Sequence, residues 1–143
     1  MNMIEYLGVL EGGIMIQTNA FDYINVLDKA ADASWTRENL IANNIANVDT
    51  PNYKRRDLDF ESVLREQLGN CKHESLDAKM RNVDLSQLNP MIYTDHANLS
   101  YRLDGNNVDI DTEEVELASE QIKYEALTTS ISKEFARMKS VIS

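Results

Sequence analysis

The stretch ANNIANVDTPNYKRR, residues 42–56, crowds three asparagines onto what reads as the end of a helix. Asparagine is unfavourable inside a helix, but it tolerates the left-handed conformation and bonds neighbouring backbone, so Asn47 is predicted to stop the helix. Local capping does not account for Asn43 and Asn44. We expect their amides to cross-link the helix end to the returning chain or to a neighbouring subunit.

Residues 20–47, which lead into this stretch, have the spacing of an amphipathic helix. Apolar side chains recur every three or four residues, the period of one helix face. Asn19 is the predicted N-cap, with Asp22 in the first turn where the helix dipole favours an acid. The residues expected to pack are Ile24, Leu27, Ala31 and Trp35, followed by Ala42 and Ala46.

Residues 1–19 read as an apolar leader in which two glycines precede Met15. Codons for the three residues Glu-Gly-Gly can form a purine-rich, ribosome-binding-like sequence just ahead of the Met15 codon. Both Met1 and Met15 therefore stay open as the start of the protein.

Downstream of the helix end, residues 48–69 form a loop and a short helix. Pro51 holds Thr50 extended, because the residue before a proline avoids the helical conformation. Asp57 or Asp59 is predicted to cap the short helix. This helix carries Phe60, Val63, Leu64 and Leu68 and stops at Gly69.

Residues 70–110 are a variable middle segment. Its first part, to residue 90, is polar and weakly patterned, and we interpret it as a loop. Residues 91–95 and 99–103 look extended, the second with alternating apolar and polar side chains, which predicts a small β-hairpin. A lone hairpin is marginal, so it must pack on something.

The second strong element is a helix over residues 111–143. Asp111 followed by Glu114 resembles a capping box. One apolar stripe has a 3-4-4 spacing, an eleven-residue repeat that favours straight or slightly right-handed packing. That stripe consists of Tyr124, Leu127, Ile131, Phe135, Met138 and Ile142.

A second stripe on this helix, formed by Val115, Ala118, Ile122 and Ala126, points about 180° away at 100° per residue. A helix that is apolar on two sides is usually buried on two sides. Copies of the same protein are the expected cover for this second stripe, with the hairpin and the short helix as the alternative. The predicted fold is mainly α, with long terminal helices paired in a coiled-coil-like layer and a short helix and a small hairpin between them.

Composition narrows the function further. The 143 residues carry 24 acidic and 14 basic side chains, a net charge of −10, which argues against a nucleic-acid binder. The single cysteine, Cys71, excludes an intramolecular disulfide framework. No apolar run reaches the roughly 18 to 20 residues of a membrane span, and no cleavable secretory signal is apparent, so membrane insertion is not expected.

Candidate chemical sites are weak. Asp104–Glu114 fails the calcium-loop template, because Val108 and Asp109 stand where a ligand and a glycine are needed. A turn followed by a capped helix start explains these residues better. No nucleophile elbow or phosphate loop occurs. No catalytic, cofactor-binding or metal-binding residue is therefore predicted, and no cofactor or nucleic-acid partner is expected.

Two further clusters have plain interpretations. Lys54, Arg55 and Arg56 are followed by acids and are interpreted as a solvated charge cluster, with a contact to an acidic partner left open. Cys71 and His73 supply too few ligands for zinc.

Taken in order, these parts resemble a known family. NNIANVDTPNYKRRDLDF (residues 43–60) resembles the N-terminal signature of the flagellar basal-body rod and hook proteins, and residues 104–142 are similar to the C-terminal region of that family. The short chain and its turn sequences most resemble the members of the proximal rod. The signature residues are Asn43, Asn44, Ile45, Ala46, Asn47, Thr50, Pro51 and Tyr53.

The resemblance implies a structural subunit that assembles helically in the basal-body rod and transmits torque from the motor ring to the hook. It implies export across the cell envelope by the flagellar type III apparatus without signal cleavage, and terminal helices that are partly disordered before assembly. The implied partners are further copies, other rod proteins, the basal-body ring protein and the rod adaptor protein. Two alternatives stay open: another axial protein of the family, and a soluble helical module that docks a partner helix.

Overall fold

The computed structural model describes residues 3–69, 75–96 and 103–142, with side chains described from Phe21 onward except those of Asp77, Arg81 and Ile142. These residues form four α-helices and two short β-strands. In chain order they are α1 (Met3–Ala46), β1 (Arg56–Asp59), α2 (Glu61–Gly69), α3 (Leu76–Asn82), β2 (Met91–Thr94) and α4 (Ile110–Ile142).

The two long helices, α1 and α4, pack side by side in opposite directions. Ser34 Oγ donates a hydrogen bond to Glu120 Oε1 (2.9 Å), and Asn44 Nδ2 donates one to Glu113 Oε2 (2.9 Å). Since the partner number falls as the α1 number rises, the pair is antiparallel. The prediction of a mainly helical chain with paired terminal helices is confirmed.

Helix α1 is longer than predicted at its start. It spans 44 residues from Met3, so the N-cap placed at Asn19 and the boundary at residue 20 are wrong. No proline interrupts the chain between Met3 and Asn19. A lone asparagine can stay inside a helix, with its amide in water or on a backbone carbonyl, without starting a new one.

Helix α1 presents two buried rows. Ile24, Ala31 and Ile41 are buried in the row that also carries Ser34, which contacts α4. The second row recurs at seven-residue intervals and packs against a small domain formed by residues 56–69 and 75–88. The core between them consists of Val26, Ala33, Leu40, Leu58, Phe60 and Leu88.

Three residues predicted to pack on α1 are instead exposed. Trp35 is 58% exposed, and Ala42 and Ala46 also face solvent. The single stripe drawn from the sequence merged residues that belong to two separate rows. Trp35 belongs to neither row, because α1 divides its apolar side chains between α4 and the small domain.

The two strands form an antiparallel ribbon, although not with the predicted partner. Arg56 lies opposite Thr94, and Asp59 lies opposite Met91. The predicted second strand, 99–103, falls outside the described residues except for Leu103, which is in a turn. The true partner strand, β1, is held against the core by Leu58, which is 6% exposed. The alternation within 99–103 carries no information about that distant contact.

The short helix predicted after the signature loop is present as α2. Asp59 accepts a hydrogen bond from the Ser62 N–H (2.9 Å), whereas Asp57 is not a cap but a buried carboxylate. The polar segment that follows also contains α3, capped by Ser75, whose hydroxyl accepts from the Ala78 N–H. This helix was missed because its seven residues are too few to show a helical period.

Helix α4 begins at Ile110, so the predicted N-cap at Asp111 is wrong. Asp109 caps the helix: its carboxylate accepts from the Asp111 N–H (3.2 Å) and the Thr112 hydroxyl (3.1 Å). The capping box with Glu114 is therefore not formed. Glu113, in the first turn of the helix, is 1% exposed.

The contact row of α4 alternates steps of four and three residues, the heptad spacing of a coiled coil. Its buried or half-buried members are Glu113, Leu117, Glu120, Tyr124, Leu127, Ile131, Glu134 and Met138. The row runs through Glu134 rather than Phe135, which is 51% exposed. The eleven-residue repeat is therefore wrong at that position, and the side chain of Ile142 lies outside the described residues.

The second predicted stripe of α4 lies on the surface of the single chain. Val115 is 70% exposed and Ile122 is 69% exposed, and Ala118 and Ala126 are also exposed. The hairpin and the short helix do not cover it. Within the described residues, no helix has the length and hydropathy needed to cross a bilayer.

Candidate functional site

The candidate site is the junction where the end of α1, the signature loop and the start of α4 meet. Its centre is Asn44, which has no solvent exposure. Asn44 Nδ2 donates to the Arg56 carbonyl (2.8 Å) and to Glu113 Oε2 (2.9 Å), while Oδ1 accepts from the Arg56 N–H (3.0 Å) and the Tyr53 hydroxyl (3.2 Å). All four hydrogen-bonding positions of the amide are filled. A single side chain thus ties three segments together.

Asn47 ends the helix by a local mechanism. Its Nδ2 donates to the Asn43 carbonyl (2.8 Å), and its Oδ1 accepts from the Thr50 hydroxyl (3.2 Å). Among the described non-glycine residues, Asn52 rather than Asn47 has a positive φ, of 61°. With Pro51 before it, Asn52 occupies the turn position that requires positive φ.

Asn106 clamps this turn from the far end of the chain. Its Nδ2 lies within hydrogen-bond distance of the carbonyls of Asn47 (3.0 Å), Val48 (2.9 Å) and Thr50 (2.9 Å), and its Oδ1 accepts from the Val108 N–H (2.8 Å). Asn106 is only 1% exposed, and its two amide N–H donors are shared among these three carbonyls.

The turn before Asn106 approaches the signature loop closely. Gly105 has a φ of 73°, and a Cβ at this position would lie 2.9 Å from Asn52 Oδ1. The Asn52 N–H donates to the Asp104 carbonyl (2.8 Å). The positive φ favours glycine here, and a larger residue would also have to displace the Asn52 side chain.

The cations after the turn are part of the junction rather than a solvated cluster. Lys54 Nζ donates to the Gly105 carbonyl (2.7 Å), and the Arg55 N–H donates to Asn107 Oδ1 (2.8 Å). The Arg55 guanidinium also bonds Glu113 and Asp57. Of the three cations interpreted as solvated, only Arg56 is exposed. The sequence could not show this, because the acids that face them lie on other elements.

A second layer of the junction is an ion-pair network around Arg37. Its guanidinium bonds Asp57 through Nε (2.8 Å), Glu120 through Nη1 (2.9 Å) and Glu116 through Nη2 (3.0 Å). The hydrogen bond to Asp57 raises the pKa of Arg37 above its usual range. The network joins α1 to β1 through Asp57 and to α4 through Glu120. These two carboxylates are 5% and 2% exposed.

The network extends to α2. Lys123 Nζ lies 2.7 Å from Glu61 Oε1 and 3.3 Å from Glu120 Oε1. The hydrogen bond from Lys123 lowers the pKa of Glu61. Throughout the described part of the chain, every buried side-chain nitrogen and oxygen has a hydrogen-bond partner. A fully satisfied network of this kind fixes the geometry of the groups that it joins.

The titration of Asp57 gives the junction a pH dependence. Burial opposes its ionisation, but hydrogen bonds from Arg37 and the Leu58 N–H outweigh burial and lower the pKa of Asp57 below its ordinary value of 3.8. Because the folded-state pKa is the lower one, the stabilisation is complete above pH 3.8 and is lost as the pH falls below it. We expect Asp57→Asn to make the unfolding free energy depend less steeply on pH in this acid range. Urea unfolding of both proteins at several acid pH values measures the difference, and parallel curves would contradict it.

The structure brings some of the sequence-predicted signature residues together and not others. Asn44 and Tyr53 meet at the centre, and Asn47 and Thr50 form the turn beside it. Asn43 instead donates to the Asn39 carbonyl on the exposed side of α1. Ile45 is half-buried, Ala46 is exposed, and Pro51 lies exposed in the turn.

The sequence analysis missed five polar and charged residues of the junction, namely Arg37, Asp57, Asn106, Glu113 and Glu120. One signal could have found two of them. Glu113 and Glu120 are seven residues apart and continue the heptad row of Tyr124 and Leu127 toward the start of α4. Acids in an otherwise apolar row indicate partners within the pair.

Comparisons with known proteins show which family the chain resembles. A family model described as flagella basal body rod protein matches residues 24–54, which contain the end of α1 and the signature loop. The chain is 35% identical over 120 residues to the flagellar basal body rod protein FlgB of Bacillus subtilis (strain 168), covering 83% of this chain and 92% of that protein.

Two further relatives carry the same description. Over 106 residues the chain is 34% identical to FlgB of Borreliella burgdorferi (strain ATCC 35210 / DSM 4680 / CIP 102532 / B31), covering 68% of this chain and 78% of that protein. Over 113 residues it is 30% identical to FlgB of Escherichia coli (strain K12), covering 74% of this chain and 82% of that protein. The alignments extend well beyond the signature loop into the remainder of the chain.

Proposed function

Because the chain belongs to the flagellar basal body rod protein family, as a FlgB-like structural subunit of the basal-body rod, we propose that its junction sets the geometry in which two axial helices enter that rod. Asn44 is the observation that carries this proposal. Its four hydrogen bonds fix the end of α1 relative to both the returning chain and α4. Because α1 and α4 are fixed to each other, a torque applied at one end of the helix pair is transmitted to the other end without one helix sliding along the other.

The rod itself would form by cooperative burial of surfaces that a single chain leaves in water. The stripe that begins at Val115 and continues through Ile122 is exposed on α4. Each added copy would cover more such surface at about 25 cal/mol per Å². A contact between unlike faces does not close on itself, so it builds an open helical array. Many such contacts would resist twisting and so transmit torque from the motor ring to the hook.

The same family membership supports a proposal for the position and partners of the chain. We place the chain in the proximal rod, in contact with other rod proteins, the basal-body ring protein and the rod adaptor protein. Export would use the flagellar type III apparatus without signal cleavage and would deliver the chain across the cell envelope. A role as a soluble binding module is set aside, because the family consists of structural rod proteins.

Isolated basal bodies test this proposal directly. Preparations from cells with and without the chain should differ: the chain should co-purify with the rod, and its removal should leave basal bodies without rod and hook. Crosslinking in these preparations should join the chain to ring and adaptor proteins. Recovery of the chain only in the cytosol, with normal flagella after deletion, would defeat the proposal.

The contact row of α4 offers a sharper prediction. Ile131 is half-buried in the distal part of the helix pair, away from the junction. Ile131→Asp should leave the protein soluble, with the junction intact, because the ion pairs lie elsewhere. It should still stop rod assembly and swimming, since a carboxylate there opposes burial of the row.

Ser132→Asp is the matched control. Ser132 is the neighbouring residue and is exposed, so the same charge should be tolerated there. Motility in soft agar and the rod content of basal bodies measure both variants. Normal swimming of the Ile131→Asp strain would count against burial of this row in the rod.

A further inference from the structure

One flank of the helix pair carries exposed aromatic side chains. Phe21 and Trp35 on α1 are 49% and 58% exposed and are separated by two heptads, which places them on the same side. Ser34 and Glu120 set the antiparallel register, so Phe21 is level with about residue 133 of α4. Phe135 on α4 is 51% exposed at that level. We call Phe21, Trp35 and Phe135 the aromatic flank.

The second unpartnered surface is the outer stripe of α4, formed by Val115, Ala118, Ile122 and Ala126. Ile122 projects about 160° away from the buried Glu120 at 100° per residue, so the stripe lies on the side of α4 opposite α1. The aromatic flank instead borders the contact between the helices. The two surfaces of one chain therefore cannot cover each other.

The two surfaces are complementary in size. In the outer stripe, Ala118 lies between Val115 and Ile122, and Ala126 follows Ile122. These two small side chains leave room for a large aromatic ring. A shallow hollow at this level is lined in part by Ile122, Ala126 and Thr129. Large side chains that meet small ones pack without voids.

Charge favours the same match. Copies with a net charge of −10 repel one another unless the contact is apolar or locally paired. Asp28 and Asp32, both exposed, lie within two turns of Trp35 on α1. The hollow on α4 is lined by one acid and one cation: Glu125 lies beside Ala126, and Lys133 lies at the far end. An antiparallel approach of one copy's α1 to another's α4 brings Trp35 to Ala126 and the two aspartates toward Lys133.

From this match we propose that the outer stripe of one copy packs on the aromatic flank of the next copy. The inference rests on the proposed function and names the partner of the exposed stripe: a second copy of this chain, engaged through an unlike surface. Each copy in a pair would retain one free stripe and one free flank. Growth would therefore continue at both surfaces rather than stop at a dimer.

Trp35 reports this contact without any label, because it is the only tryptophan of the chain. In concentrated full-length protein its fluorescence should move to shorter wavelength as copies associate and the indole leaves water. Ile122→Asp should abolish that shift, since it spoils the outer stripe while leaving Trp35 in place. Leu76→Asp, a matched change at a residue of similar exposure (57%) on α3, should keep it.

Mixing two variants separates this contact from other arrangements. Trp35→Asp lacks the flank and the fluorophore but keeps the stripe, whereas Ile122→Asp keeps the flank and lacks the stripe. Adding excess Trp35→Asp to Ile122→Asp should restore the blue shift, whereas the same excess of further Ile122→Asp should not. Circular dichroism checks the helicity of both proteins, and Trp35→Ser and Val115→Asp replace either variant that loses it.

A blue shift in Ile122→Asp alone, or none on mixing, would overturn the pairing. The proposed function is judged separately, by whether the wild-type chain enters basal bodies. Incorporation without restoration on mixing would retain the rod subunit and reject this contact.

Discussion

Replacing Arg37 by methionine should lower the free energy of unfolding by about 3 kcal/mol or more. The change preserves much of the side-chain volume but removes the cation shared by Asp57, Glu116 and Glu120. Breaking a buried ion pair typically costs about 3 to 5 kcal/mol, because a charge is left buried without its partner. Arg55 still bonds Asp57 and Lys123 still bonds Glu120. The expected loss is therefore at the lower end of that range. Denaturant unfolding measures it.

The control is Arg65→Met, at an exposed arginine on α2. A surface change of this kind usually stays within about 0.5 kcal/mol. A second variant, which combines Arg37→Met with Asp57→Asn and Glu120→Gln, should regain part of the lost stability because neither buried acid of the network then keeps its charge. Equal stability of Arg37→Met and Arg65→Met would show that the network contributes little.

The parts of the fold that depend on long-range pairing are the parts that sequence reasoning missed. The helix pair was predictable because both helices carry long apolar periods and the chain between them brings the end of one back to the start of the other. The partner of β2 was not predictable, because that partner, β1, has four residues and shows no reliable alternation. Its place is set by Leu58, buried in the core with Phe60 and Leu88.

The junction shows the same division. Asn44 was identifiable as a cross-link because three amides exceed what one helix end needs. Its partner Glu113 was not, because a glutamate near a helix start is also explained by the helix dipole. Arg55 was likewise ambiguous, since it stands among other cations and its acids come from β1 and α4. Local sequence identifies a residue that needs partners but not which distant residues supply them.

The exposed aromatic side chain of Trp35 illustrates a further limit. A tryptophan at helical spacing with buried residues is usually part of the core. Here α1 has two buried rows, and Trp35, which lies outside both, is left exposed on the single chain. Periodicity cannot distinguish a core position from an assembly position, because both require an apolar side chain on one face.

The two asparagines of the signature should respond very differently to alanine. Asn44→Ala removes four hydrogen bonds at a site without solvent exposure. It leaves the backbone of Arg56 and the Tyr53 hydroxyl without these partners, and Glu113 with one fewer. Each unsatisfied buried group costs about 1 to 3 kcal/mol, so we expect a loss of about 3 kcal/mol or more and no rod assembly.

Asn47→Ala should cost only about 1 kcal/mol, because its side chain bonds the Asn43 carbonyl and Thr50 at a partly exposed helix end. It should therefore still enter the rod. Denaturant unfolding gives the stability of each variant, and basal-body content gives assembly. Similar losses in the two variants would mean that Asn44 acts only as an end cap. A stable Asn44→Ala protein that fails to assemble would instead locate its role in setting the angle between the helices.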